Sequence, residues 1–189
     1  ISDDVDKESD QIIQSTTEEI AEDVKAEKPF LNVQKIHADS YVQETSSGGA
    51  RYTLVNKAIF DALEVGAIVV NYFGHGGEDG LAVERIFDKI NAQELNNPSK
   101  LNCFVTVTCE YTKFDNPFRE TAGEYLFWNK NGGAINLITT TRKIYVNVGT
   151  SFNKTLSQYL FSYGSDETMS IGEALRRTKN DPAISNQTQ

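Results

Sequence analysis

Ile13, Thr17, Ile20 and Val24 recur every three or four positions with acids between them, a spacing that predicts an amphipathic helix. "FLNVQKIHAD" reads as a short strand carrying Val33 and Ile36, and "TSSGGAR" reads as a loop. Val55, Ala58, Ile59, Ala62 and Leu63 mark a second helix that stops near Gly66. "AIVVNYF" is almost continuously apolar, as a strand covered on both faces should be. A helix is predicted over roughly 81–95, closed by Asn97-Pro98. "LNCFVTVTC" and "GGAINLITTT" read as two more buried strands. Between them, Thr121 and Glu124 have the spacing of a capping box that opens a helix through Trp128. Phe152, Leu156, Tyr159, Leu160 and Tyr163 mark another helix. Ser170 and Glu173 form a second capping box, ahead of a face built from Ile171, Ala174, Leu175 and Thr178.

Strands alternating with helices predict an α/β fold, a mostly parallel sheet with helices on both faces. The length, 189 residues, suits one domain over 1–189. The abrupt opening "ISDDVDKESD" reads as the end of a strand running into a helix, so the domain is expected to be excised from a larger protein. The net charge of −9 argues against nucleic acid and anionic membrane as partners. No apolar run is long enough for a transmembrane helix.

In a parallel sheet, ligands gather beyond the carboxyl ends of the strands. His75 follows one predicted strand there, in "GHGGEDG", and Cys109 closes the next. If those strands are neighbours, imidazole and thiol emerge side by side. A thiol attacks as thiolate, and an imidazole can take its proton and later protonate a leaving amine. The glycines around His75 leave room for a substrate backbone. They also free the N–H of Gly76 to serve, with the N–H of Cys109, as an oxyanion hole. Asp3 and Asp4, Glu110 and Tyr111, and the segment 140–145 with Arg142 are expected to complete the rim and bind substrate.

Plainer readings compete with this one. A cysteine at a strand end is usually a small buried hydrophobe, and a histidine among glycines is usually a turn residue. The glycine loop lacks the order of a phosphate loop. "DDVD" lacks the glycine and distal glutamate of a calcium loop and suits a helix N-terminus. Neither Cys-x-x-Cys nor His-x-x-x-His spacing supports zinc, so no metal and no cofactor is expected. Cys103 and Cys109, if on one strand, stand roughly 20 Å apart, beyond the ~7 Å a disulfide tolerates. His37 reads as structural.

"VVNYFGHGGEDGLAVERIF", "FVTVTCEYTKFDNPFRETAGEYLFWNKNGGAINLITTTR" and "YVNVGTSFN" resemble the gingipain family of cysteine peptidases. Within it they are most similar to the C-terminal signal peptidases, or sortases, of the type IX secretion system. The resemblance implies a caspase-like three-layer α/β sandwich and a His–Cys dyad falling on His75 and Cys109. It further implies removal of the C-terminal signal domain from secreted cargo, with transfer of the new C-terminus to water or to a lipopolysaccharide amine. A PorV-like outer-membrane protein is the implied partner, and the extracellular side of the outer membrane the implied location. Two other readings stay open. One is a general gingipain-like endopeptidase, the other a non-catalytic interaction module on the same fold.

Overall fold

A computed structural model describes residues 1–185. Its centre is a parallel sheet of β3 (Val69–Phe73), β7 (Asn102–Val107) and β8 (Ala134–Ile138), in that spatial order. Ser2 extends the sheet past β3, bridging in parallel to Phe73 on one side and His37 on the other. A hairpin of β1 (Glu44–Ser46) and β2 (Gly49–Arg51) lies apart from this sheet, and so does a three-stranded antiparallel ribbon. The ribbon comprises β4 (Gly76–Gly77), β5 (Gly80–Leu81) and β6 (Phe87–Asp88).

All six residues of β7 are buried. A strand flanked on both sides and covered on both faces has no solvent side, hence its unbroken apolar and small-polar run. Its alternate residues feed two cores. Phe104 joins Val70, Tyr72 and residues of α2 (Thr53–Val65), α3 (Lys89–Glu94) and α4 (Ala122–Trp128). Cys103, Val105 and Val107 join Phe73 and residues of α1 (Gln11–Glu27) and α5 (Val146–Leu160), with α6 (Ile171–Asn180) against them. A four-residue α7 (Pro182–Ser185) follows. The result is a three-layer α/β sandwich, as the alternation of elements predicts.

Local chemistry sets the ends of these elements. The α1 stripe is buried as predicted, at Ile13, Thr17, Ile20 and Val24. The α2 helix ends on Gly66, whose φ of 110° suits glycine. Thr121 and Glu124 form the predicted capping box of α4.

Several segments depart from the sequence reading. The segment with Val33 and Ile36 forms no strand, and only His37 bridges to Ser2. "TSSGGAR" contributes to the β1–β2 hairpin rather than a loop. Most of 81–95 is a turn and two short strands, with a helix only at Lys89–Glu94. Ala82 and Arg85 have φ of 61° and 54°, which no helix accommodates, and Asp88 caps the helix that follows through Ile90 N and Asn91 N. The β8 strand is an edge strand, and Ile135 is exposed. Helix α5 begins at Val146, and Tyr163 lies beyond its end. Ser170 caps α6 as predicted, but the Glu173 carboxylate pairs with Arg176 and Arg177 instead of closing the box.

Candidate active site

The β3 and β7 strands pair in parallel from Val69↔Cys103 to Phe73↔Val107. The pairing is prolonged by Gly74 N–H donating to Val107 O at 3.3 Å. His75 and Cys109 each follow two residues after the last matched pair. Adjacent strands run about 4.8 Å apart, so the two residues leave the same rim of the sheet side by side.

The His75 backbone is pinned on both sides. Its N–H donates to Asp3 Oδ2 at 2.7 Å, and its carbonyl accepts from Tyr72 OH at 2.6 Å and from Ala82 N–H at 2.9 Å. Tyr72 is wholly buried, so the loop hangs from a rigid core residue. The imidazole itself is 46 % exposed, with Nε2 3.5 Å from Oδ1 of Asp10. The Asp10 carboxylate is buried and also accepts from Lys7 N–H and Ser9 OH. It thus stands at ion-pair distance from one ring nitrogen of His75. Nothing in the sequence reading singled out Asp10. The only signal was an acid just before a helix whose preceding residues pair with β3.

Cys109 is half-buried, with Sγ 3.8 Å from Ile144 O. Glu110 behind it has φ of 52°, so the chain leaves β7 through a left-handed corner. Among the described residues, no acceptor takes the Cys109 N–H. Gly76 pairs opposite Leu81, next to the hydrogen bond from Ala82 N–H to His75 O. Antiparallel pairs alternate between bonded and non-bonded, which turns the Gly76 N–H away from β5. Gly76 also has a packing reason to be glycine. A Cβ there would lie 2.7 Å from Thr108 Oγ1 and 2.9 Å from Gly80 O.

The other expected rim residues divide. Segment 140–145 does lie along the loop that follows Cys109: Arg142 O accepts from Glu110 N–H, and Thr140 O from Thr112 N–H. The Arg142 guanidinium is exposed and paired with Asp115, and Glu110 is paired with Lys113 at 2.8 Å. Tyr111 does not line a pocket. It is fully buried, its ring stacks on Phe104 at 6.5 Å, and it belongs to the core. Asp4 is buried too, accepting from Tyr52 OH at 3.0 Å, so neither it nor Asp3 offers a surface to substrate. Burial raises the Asp3 carboxyl to about 8, against the opposing pull of the His75 N–H, with Asp4 and Glu84 adding to the rise.

The two cysteines are both free. Burial alone pushes the Cys103 thiol up to about 11. His37 is satisfied by Ser2 and Glu18, as a structural histidine would be. A concavity of about 460 Å³ elsewhere is lined by Ile20, Val24, Leu63, Ile68 and Phe161. It lies at the amino-terminal end of β3. The carboxyl-edge rule for parallel sheets outweighs concavity here, because the candidate imidazole and thiol stand at that edge.

No curated protein sequence matches the chain. Two solved structures share its fold. The Arg-specific cysteine proteinase gingipain R (RgpB) superposes with a TM-score of 0.75 and 17 % identity over 94 % of this chain and 38 % of that one. The complex of the Porphyromonas gingivalis RgpB pro- and mature domains gives 0.72 and 16 % identity over 92 % and 38 %. The chain therefore spans less than half the length of the structures it matches, and its three layers are those of the gingipain, caspase-like fold. Residues 1–189 match the model of Peptidase family C25 throughout, and the chain belongs to that family of cysteine peptidases.

Proposed function

We propose that this chain is the catalytic domain of a larger cysteine peptidase, with Cys109 as nucleophile, His75 as its proton acceptor and donor, and Asp10 orienting the imidazole. The observation that carries this reading is the strand register, which sets His75 and Cys109 at equal distances past the ends of two paired parallel strands. His75 takes the thiol proton as the sulfur attacks the scissile carbonyl carbon. The carbonyl oxygen, now negative, is met by the N–H groups of Gly76 and Cys109. The C–N bond breaks, His75 gives its proton to the departing amine, and the acyl group remains on Cys109 as a thioester. Water or an amine then attacks the thioester, and the thiol is restored.

The long stretches around both residues support a PorU-like sortase as the particular activity. The substrates are secreted proteins bearing a C-terminal type IX signal. The acyl acceptor is water or a lipopolysaccharide amine, with a PorV-like protein alongside at the outer-membrane surface. A general endopeptidase selecting basic side chains is disfavoured by the rim charges. Its acids Glu78, Asp79, Glu110 and Asp115 are already paired with Lys113, Lys89, Arg119 and Arg142. The test is mass spectrometry of cargo C-termini after incubation with the complete protein. Loss of the signal domain, with or without an added amine, supports the sortase reading. Cleavage of cargo lacking that domain overturns it in favour of the endopeptidase, and no labelling by an active-site thiol probe overturns both.

A further inference from the structure

The loop between β7 and α4 is fixed by polar contacts on two sides. The Glu78 carboxylate, in the turn of the ribbon that follows His75, accepts from Asn116 Nδ2 at 3.0 Å and pairs with Arg119 at 3.3 Å and Lys113 at 3.4 Å. The Glu78 carbonyl accepts from Ala122 N–H at 2.8 Å, and Arg119 also reaches Asp79. On the other side, both oxygens of Asp115 meet the Arg142 guanidinium, at 2.9 and 2.5 Å. Arg142 belongs to the segment whose Ile144 carbonyl lies 3.8 Å from the Cys109 thiol. The loop therefore joins the His75 flank of the rim to the Cys109 flank. Within it, Asn116 N–H donates to Lys113 O and Phe118 N–H to Asn116 Oδ1, which closes two successive turns. Lys113, Asp115 and Arg119, the charged residues of 113–119, are all engaged with these partners. Phe114 and Phe118 stay in water, 69 % and 91 % exposed.

We propose that Phe114 and Phe118 form a docking surface for an apolar segment of the polypeptide being cut, a reading that deepens the peptidase function and rests on it. A single exposed phenylalanine is ordinary; two on one short loop that polar contacts already hold are not. Neither ring is buried, so neither contributes much to holding the loop in place. A fixed loop loses little freedom on binding, and a phenylalanine side chain has only two rotatable bonds, so the contact carries a low entropic cost. Each ring offers a partner up to about 150–250 Å² of surface. The loop's charges are neutralised among its neighbours, so it attracts no charged side chain, and what it recognises is apolar. A lipid surface is disfavoured, because a net charge of −9 opposes anionic headgroups. A polypeptide that enters between His75 and Cys109 passes this loop, and is thus the apolar partner within its reach.

Binding is scored in the complete protein carrying Cys109→Ala, so that no peptide is consumed. The probes are two fluorescein-labelled decapeptides of equal charge, one with Leu or Phe at about four positions and the other with Ser there. Fluorescence anisotropy should show the apolar peptide bound at least about tenfold more tightly. Phe114→Ser combined with Phe118→Ser should erase that preference and leave the thermal midpoint within a few degrees of the parent, because both rings are already in water. Phe118→Ser alone, at the more exposed position, serves if the pair does not fold, and should weaken the apolar peptide at least about threefold. With Cys109 restored, the paired substitution should raise KM for the apolar peptide, leave kcat within about twofold, and leave iodoacetamide capture of Cys109 unchanged. A preference that persists in the folded variants, or equal binding of the two peptides by the parent, overturns the inference. So does ring-dependent binding to vesicles of phosphatidylethanolamine and phosphatidylglycerol without a peptide preference. Ring-dependent peptide binding by a protein that cuts neither peptide and whose thiol stays unreactive supports the docking surface and sinks the peptidase reading, so the two fail separately.

Discussion

Replacing Asp10 by Asn removes a charge and almost no volume. The Asp10 Oδ1 stands 3.5 Å from His75 Nε2, with the carboxylate buried and the imidazole about half in water. Two unit charges at that distance attract by about 1 kcal/mol in water and about 5 kcal/mol at an effective dielectric of 20. Solvent at the exposed imidazole holds the useful part to about 1–2 kcal/mol. At about 1.4 kcal/mol per tenfold in rate, Asp10→Asn should lower kcat/KM roughly five- to thirtyfold. The loss should fall on kcat, because the carboxylate acts on the imidazolium formed when the thiol gives up its proton and not on bound substrate. The amide oxygen of Asn can still accept from the ring, so orientation survives and only charge is lost. Cargo processing by the complete protein supplies the rates. Capture of Cys109 by iodoacetamide, followed by mass spectrometry, gives a substrate-independent reading of thiol activation. Asp10→Glu should recover part of the loss. Processing at the parental rate would refute the assignment of Asp10 to the imidazole. A fall in thermal midpoint that accounts for the lost activity would assign Asp10 to the entry of α1, where it accepts from Lys7 and Ser9, and not to catalysis.

Cys109→Ala and His75→Ala should both keep the parental thermal midpoint within a few degrees, since one side chain is half-buried and the other exposed, while cargo processing falls below detection in the first and at least a hundredfold in the second. Calorimetry and cargo mass spectrometry check the pair, and processing by Cys109→Ala would remove it as nucleophile. Gly76→Ala should cost about 1–3 kcal/mol through the Cβ contact with Thr108 Oγ1 and Gly80 O, a midpoint drop of roughly 3–10 °C for a chain of this size; an unchanged midpoint would show that the ribbon yields at no cost. Cys103, its thiol raised to about 11 by burial, should resist iodoacetamide in the folded protein up to pH 9 while Cys109 is labelled, and modification of Cys103 first, read by peptide mapping, would contradict the burial argument.

The layers were legible in the sequence because they rest on period and run length. The six buried residues of β7 and the stripe Ile13, Thr17, Ile20, Val24 follow directly from covering a strand on both faces and a helix on one. The helix predicted over 81–95 was not legible. Leu81, Ala82, Ile86 and Phe87 fit a helical stripe as well as a hairpin, and only left-handed backbone at Ala82 and Arg85 separates the two. The rim was legible for the positions of His75 and Cys109, which follow from strand order. Asp10 was not, because contact with His75 depends on how α1 enters the fold, sixty-five positions away in sequence. Asp3 and Asp4 were read as part of an open rim, because acids beside a helix start are ordinarily solvated and nothing local reports that these two are enclosed. Tyr111 comes two residues after Cys109 and was read at the rim, yet the left-handed corner at Glu110 turns it back into the core.

That the sheet stops at β8 affects how the protein behaves in the tube. Its outer row of N–H and C=O groups has no strand partner among the described residues, and its sequence, "AINLI", carries neither a charge nor a proline. Those are the usual guards against strand-to-strand stacking of copies. With Ile135 turned outward, β8 is the segment on which aggregates should nucleate when the solution is warmed or concentrated. A lysine at position 135 would shield the edge without disturbing the rim on which the chemistry is proposed to occur.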